Sequence, residues 1–295
     1  MTPGFGPAER RNAETLIELA LAEDLGDSGD LTALATIPES AQGEARFVSR
    51  RHGVVAGLPV VALLAARMSL SDGFSPISVD GGPCVPGTTL ATVRGSMRRI
   101  LAFERTALNF LQRLSGIASR TALYVAEVSG TAAKILDTRK TTPGWRFLEK
   151  YAVRCGGGTN HRFGLYDAIL IKDNHLAWLS TDPMHRPDPI ASAIQAARAT
   201  APHGTTIEIE VDTLEQFDSA LRNRPDIILV DNFDPALLFE AIRRRDAAPP
   251  GVILEVSGGV NLSTVRALAL TGVERISVGD LTHSAPALDI GLDYD

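Results

Sequence analysis

The chain has little cysteine, little surplus basic charge and no long apolar run. Its two cysteines, Cys84 and Cys155, have no metal-ligand partners at useful spacing, which excludes a disulfide framework and a thiolate metal centre and leaves two free thiols. The longest uncharged apolar stretch, Val54 to Ala66, is broken by Gly57 and Pro59 and is too short to span a bilayer, so no membrane partner is expected. Lys and Arg number 29 against 35 Asp and Glu, a net charge of -6. Binding to nucleic acid draws on a broad basic face, so nucleic acid is excluded as the main partner. Neither a GxGxxG nor a Walker pattern is present, and Gly156-Gly157-Gly158 reads as a flexible turn that delivers Asn160, His161 and Arg162. The N-terminus, MTPGFGPAERR, lacks the basic-then-apolar order of a secretory signal, and the expected location is cytoplasmic.

What is present is ample apolar material, 44% of 295 residues, enough for one large barrel or two ordinary domains. The first hundred or so residues predict a helix from Ala8 to Ala22 and short alternating strands near Ala45 to Val48 and Thr89 to Val93, set between Gly and Pro turns. A long helical pattern follows from Met97 to Val128 and stops at Gly130, which accepts the left-handed conformation at a helix end.

From Lys134 the pattern becomes regular. Apolar strands appear at KILDTR, AILIKD, IEIEVD, IILVDN, ILEVSG and RISVGD. The later ones are separated by helical segments at Pro189 to Ala199, Leu214 to Arg222, Pro235 to Arg245 and Leu262 to Leu270, the last with Asn261 as its cap. Strands alternating with helices predict a parallel sheet with all C-terminal strand ends on one rim. Their spacing suits a closed barrel and also admits an open doubly wound sheet.

Each strand closes on a residue able to do chemistry: Asp137 and Arg139, Lys172, Glu210, Asp231, Ser257 and Gly279. Between Asp137 and His175 there are seven Lys or Arg against four acids, so positive charge is concentrated where the first two strands end. Rigidly held cations at a rim suit a small anion. Ser257-Gly258-Gly259 and Gly279-Asp280 are turns in which backbone N–H groups can approach a phosphate. Glu210 and Asp231 either share a magnesium ion with such a phosphate or pair with Arg139, Lys140 or Lys172. Lys172 could also be a Schiff-base nucleophile, and a phosphate-binding regulatory module is a further option.

The run DTRKTTPGWRFLEKYAVRCGGGTNHRFGLYDAILIKDNH (Asp137 to His175) closely resembles the quinolinate phosphoribosyltransferase family. The resemblance extends to DLT at Asp30, ERTALNFLQRLSGIA at Glu104, EIEVDTLEQ at Glu208, LVDNF at Leu229, EVSGGV at Glu255 and SVGDLTHSAPALDIGLD at Ser277, and so covers nearly the whole chain. Trp145 departs from it, standing where an aliphatic residue is expected.

The resemblance implies an α/β protein with an N-terminal α/β sandwich domain over 1–115 and an incomplete, irregular α/β barrel of parallel strands over 116–280, with a tail of about 281–295 packed back on the first domain. It implies transfer of phosphoribosyl from phosphoribosyl pyrophosphate to quinolinate, with magnesium and with loss of carbon dioxide. It matches Arg139, His161, Arg162 and Lys172 to quinolinate contacts, and Arg105 to one donated across a homodimer or larger oligomer. Lys140 matches a pyrophosphate contact, Glu210 and Asp231 the magnesium and ribose contacts, and Ser257, Gly258 and Gly279 the 5'-phosphate cradle. Lys140, Lys172, Glu210 and Asp231 are then the catalytic set. Arginine suits a dicarboxylate because its planar fork makes charge-assisted contacts of about 1.5 to 3 kcal/mol each. The implied order of steps needs no covalent enzyme intermediate, which counts against a Schiff base at Lys172.

Overall fold

The computed structural model describes residues 3–185 and 187–294. Met1, Thr2, Arg186 and Asp295 lie outside the described residues, including the first two of the N-terminal stretch read above. In chain order the first elements are α1 (Pro7–Leu25), α2 (Leu31–Thr36), β1 (Gln42–Ser49), β2 (Gly53–Val54), α3 (Leu58–Arg67), β3 (Ser75–Pro76), β4 (Pro83–Cys84), β5 (Thr89–Ser96) and α4 (Met97–Glu127). There follow β6 (Lys134–Leu136), α5 (Arg146–Cys155), β7 (Ile169–Ile171), α6 (Asp173–Leu179), α7 (Pro189–Thr200), β8 (Ile207–Val211), α8 (Leu214–Asn223), β9 (Ile227–Asp231), α9 (Pro235–Asp246), β10 (Ile253–Ser257), α10 (Val265–Ala269), β11 (Arg275–Ser277), α11 (Asp280–His283) and β12 (Ile290–Tyr294).

Contacts divide the chain into one unit of residues 1–123, 140–158 and 280–295 and a second of 124–139 and 159–279. The sequence boundary was drawn at 115/116; the segment 140–158 nonetheless belongs with the first unit. Buried side chains tie it there: Tyr151 donates its hydroxyl to Asp80 at 2.8 Å, and Arg113 donates to Glu149 at 2.7 Å.

In the first unit β12, β1, β5 and β3 form an antiparallel sheet in that order, so the C-terminal strand pairs with β1 from Ala45↔Tyr294 to Ser49↔Ile290. The sheet and its helices bury Phe47, Leu90, Val93, Phe103 and Leu111. Local signals set the helix starts. Pro7 opens α1 while Glu9 accepts the Gly6 amide at 3.1 Å, and Asp30 caps α2 by accepting from Ala33 N at 2.9 Å. Gly156-Gly157-Gly158 is a packed turn rather than a flexible one. A Cβ on Gly156 would lie 2.3 Å from the Ala118 carbonyl, and one on Gly158 2.7 Å from Val153 Cγ1. Cys84 and Cys155 are buried free thiols, and burial pushes Cys155 up to about 12.

The second unit holds a parallel sheet ordered β6-β11-β10-β9-β8-β7. Strands β8 to β11 are neighbours in sequence order with no reversal, which is barrel winding rather than a doubly wound sheet. The edges are β6 and β7, so the barrel is incomplete and the closed form admitted by the spacing is not adopted. All five residues of β8 are buried, Glu208 and Glu210 included, as are Ile227 to Val230 of β9, whose burial explains its continuous apolar run. Helices α7, α8 and α9 are capped by Asp188, Thr213 and Asp234. The exception is Asn261: it accepts from Ser263 N at 2.9 Å in a turn, and α10 starts only at Val265. Among the described residues no helix is long and apolar enough to cross a membrane.

Candidate active site

Register brings the polar strand ends of the second unit together. Strands β7 and β8 pair Leu170 with Glu208; two residues further along, on the same face, Lys172 meets Glu210 and the two are ion-paired. This settles one of the pairings left open for Glu210. Strands β9 and β10 pair Asp231 with Ser257, and Ser257 Oγ donates to Asp231 Oδ1 at 3.0 Å.

Past the end of β6 stand Arg139 and the loop of His161 and Arg162. Asp137, fully buried, accepts the His161 amide at 2.8 Å and the Asn160 side-chain amide at 2.6 Å. Arg162 Nη1 donates to the Ala168 carbonyl at 3.1 Å, while its Nε is buried with no hydrogen-bond partner. Burial, and next the Arg139 guanidinium, push Arg162 below the usual arginine range. Two guanidinium groups held together in a partly buried place form a site that an anion relieves.

Behind them lies a buried cluster. His161 Nε2 is 3.1 Å from Glu208 Oε2 and 3.3 Å from Glu255 Oε1. Glu255 also accepts from Arg275 Nε at 2.5 Å and from the Ser277 hydroxyl. Burial pushes His161 down, but the hydrogen bonds to Glu208 and Glu255 outweigh it and raise it to about 9. Burial, then the charge of Glu255, pushes Glu208 up. Glu255 is pushed up by burial too, yet His161, Arg275 and Ser277 hold it net below the usual carboxylate range. The donor atoms of His161, Glu208 and Glu255 all lie within 4.8 Å of one another, a spacing that could itself hold a metal ion. The ion pair with Arg275 and the guanidiniums nearby make cation binding there unfavourable.

The oxygen-rich side of the site lies at Asp231 and Asp212. Burial, then Asp231 and Asp173, push Asp212 up, and Lys172 opposes them. Asp212 and Asp231 are hard oxygen donors close enough to repel, a crowding that a divalent cation would relieve and that suits magnesium. The turn after β10 has the backbone form that the sequence suggested. Gly258 has φ +92°, and a Cβ there would lie 2.1 Å from Asn232 Oδ1. Only glycine fits, leaving the turn's backbone open to a ligand. Gly279 lies two residues past the end of β11 and just before α11.

Two of the expected residues lie in the first unit. Arg105 is exposed on α4, and Lys140 is exposed with its carbonyl accepting from Thr282 Oγ1 at 2.7 Å. The same backbone is braced by Glu149, which accepts from Thr142 N at 3.1 Å and from Thr142 Oγ1 at 2.9 Å. Trp145 stacks on Phe110 with ring centroids 5.0 Å apart, beside a cavity of about 360 Å³ that also touches Leu16 and Asn109.

Sequence reasoning passed over Glu208 and Glu255. The available signal was period two: each stands two residues before a selected residue, Glu210 and Ser257, inside an otherwise apolar strand. Glu149 and Arg113 carried no such signal, being ordinary charges on helical segments.

Charged and polar side chains at the strand ends of an unclosed parallel barrel define a structural class, the incomplete α/β barrels with a candidate site on the rim. Human nicotinic acid phosphoribosyltransferase shares the fold with a TM-score of 0.60, at 14% identity over 90% of this chain and 72% of that one. The sequence narrows the class. Residues 30–115 match the N-terminal domain model, and 117–293 the C-terminal domain model, of quinolinate phosphoribosyl transferase. The chain belongs to the quinolinate phosphoribosyltransferase family. It is 44% identical to the nicotinate-nucleotide pyrophosphorylase [carboxylating] of Mycobacterium leprae, over 95% of this chain and 96% of that protein. It is 36% identical to quinolinate phosphoribosyltransferase [decarboxylating] 1 of Nicotiana glauca, over 95% and 81%. Among solved structures, the nicotinate-nucleotide pyrophosphorylase of Francisella tularensis superposes with a TM-score of 0.87 at 33% identity, covering 100% of both chains.

Proposed function

We propose that this chain is a pentosyltransferase that moves the phosphoribosyl group of phosphoribosyl pyrophosphate to the ring nitrogen of quinolinate. The products are nicotinate mononucleotide, pyrophosphate and carbon dioxide, a step of NAD biosynthesis. Besides family membership, the observation that carries this reading is the Arg139–Arg162 juxtaposition, in which burial and a like charge depress Arg162. A planar dicarboxylate offers each guanidinium an anionic partner.

In this reading Arg139, Arg162 and Lys172 hold the two quinolinate carboxylates, joined by Arg105 of the partner subunit in a homodimer or larger assembly. Lys140 receives the pyrophosphate. Ser257 and the backbone at Gly258 and Gly279 cradle the 5'-phosphate. Glu210 and Asp231 face the ribose, and with magnesium bound they would be its ligands, the ion supplying neutralisation of the pyrophosphate oxygens. As the leaving group departs, positive charge develops on the ribose ring, and Glu210 and Asp231 stabilise it from fixed positions. The ring nitrogen of quinolinate then bonds to the anomeric carbon. The positive charge of the resulting pyridinium stabilises the electron pair left on C2 when the 2-carboxylate leaves as carbon dioxide, and C2 then takes up a proton from water.

Lys172, ion-paired with Glu210, serves here as a cation rather than as a Schiff-base nucleophile. The relatives from Mycobacterium leprae and Bacillus subtilis are bacterial, while one from Arabidopsis thaliana is named chloroplastic; a cytoplasmic location is our reading for this chain.

Comparing quinolinate with nicotinate as acceptor tests the assignment. Quinolinate should be preferred by on the order of 10³-fold or more in kcat/KM, because nicotinate leaves buried cationic donors without a partner. Equal use of both bases, or a preference for nicotinate, would point to another acceptor for this fold.

A further inference from the structure

The segment 140–142, which presents Lys140, is neither helix nor strand, so no backbone ladder holds it. Side chains hold it instead. The Lys140 carbonyl accepts from Thr282 Oγ1 at 2.7 Å. Two residues further on, the Thr142 amide donates to Glu149 Oε2 at 3.1 Å and the Thr142 hydroxyl to Glu149 Oε1 at 2.9 Å. Both anchors are fully buried in the first unit, Thr282 on α11 and Glu149 on α5.

Arg113, on α4, joins the two anchors. Its Nη2 donates to the Thr282 carbonyl at 2.6 Å and to Glu149 Oε1 at 2.7 Å, and its Nη1 donates to the Ala285 carbonyl at 3.1 Å. The contacts close a ring that runs from Lys140 to Thr282, Arg113, Glu149 and Thr142 and back along the chain. A guanidinium carries its donors in a fixed planar fork, so the acceptors on Nη2 stand at a set separation. The ring therefore fixes the two peptide groups that flank residue 141, immediately past the lysine.

Stability alone asks for less than this. A buried ion pair is often no more stabilising than apolar side chains of the same volume, so its presence points to geometry when its remaining bonds converge on one segment. Resting on the reading of Lys140 as the pyrophosphate contact, we propose that Arg113 is a positioning residue for Lys140, acting through Glu149 and Thr282. It sets the backbone from which the ammonium reaches the leaving group, and a group held in place before binding has less ordering to undergo on binding.

The test compares Arg113→Lys, Thr282→Val and Thr282→Ser in the intact enzyme, reading KM for each substrate with the other saturating. Lysine keeps the charge opposite Glu149 but lacks the fork, and valine keeps the volume of Thr282 but lacks the hydroxyl. Each should raise the KM for phosphoribosyl pyrophosphate by about fivefold or more, while serine, which keeps the donor, should stay within about twofold. Quinolinate KM should change by less than about twofold in all three. A fall in thermal midpoint with both KM values unmoved, or an equal rise in both, would reduce the ring to a structural role and overturn the proposal. The second arm is a double-mutant cycle with Lys140→Ala, reading kcat/KM for phosphoribosyl pyrophosphate, which stays measurable when saturation is not reached. If the ring acts through Lys140, adding Thr282→Val to Lys140→Ala should change kcat/KM by less than about twofold. The full loss in that background would overturn the proposal. If Lys140→Ala by itself leaves kcat/KM unchanged, the pyrophosphate reading of Lys140 fails, whatever the ring variants do.

Discussion

Ser257 and Asp231 occupy paired positions on adjacent parallel strands, and the serine hydroxyl donates to the aspartate carboxylate at 3.0 Å. The turn proposed to cradle the phosphate and the acid proposed to face the ribose are thus tied to each other as well as to their own strands. Replacing Ser257 with alanine should raise the KM for phosphoribosyl pyrophosphate about tenfold, the loss of one charge-assisted hydrogen bond. Quinolinate KM should stay within about twofold. Steady-state kinetics with each substrate varied checks this, and an equal rise in both would separate Ser257 from the phosphate.

Glu210 holds Lys172, and in the proposed function it faces the ribose, where transition-state charge develops. Glu210→Gln should lower kcat by about 10² to 10³ with the protein still folded. Borohydride added during turnover should leave the mass of the wild-type protein unchanged. A covalent adduct at Lys172 would revive the Schiff-base chemistry.

In the first unit, Glu149 is fully buried and Arg113 is its cationic partner at 2.7 Å. Arg113→Ala leaves that carboxylate uncompensated and should cost about 3 to 5 kcal/mol of stability. Glu149→Gln, which removes the charge while keeping hydrogen-bonding atoms for Thr142, should cost less. Urea denaturation of the variants checks the order, and a reversed order would mean that the pair is held for another reason.

His161 gives the stability a pH dependence. Its proton is held to about 9 in the native protein, whereas an unfolded imidazole releases it near 6.5. Folding then takes up a proton between those values. The contribution is complete below about pH 6.5 and is lost as pH rises through 9. The thermal midpoint should fall over that window by several degrees, and the fall should be shallower in His161→Asn. Parallel pH curves for the two proteins would place the titration elsewhere.

Much of this arrangement was legible in the sequence because it depends on local signals. Apolar runs ending in Asp137, Lys172, Glu210, Asp231 and Ser257 announced both the strands and their rim, and the glycine that φ +92° demands at Gly258 was visible as a turn. What was not legible depends on distance in the chain. Glu208 and Glu255 lie on strands separated by β9, and nothing local says that His161 draws them together. The Gly156 to Gly158 run looked flexible because a sequence does not display Ala118 pressed against it. Helix α5 went unread because its charged residues were counted as part of a cation cluster, although Arg154 pairs with Glu9 and Arg113 with Glu149.

The account rests on coupled transfer and decarboxylation of quinolinate. The most direct measurement supplies the enzyme with quinolinate, phosphoribosyl pyrophosphate and magnesium, and follows nicotinate mononucleotide, pyrophosphate and carbon dioxide together. The three products should appear in equal amounts and at equal rates, and omitting quinolinate should abolish all of them. Pyrophosphate and a nucleotide formed without carbon dioxide, or no turnover by folded protein, would contradict it.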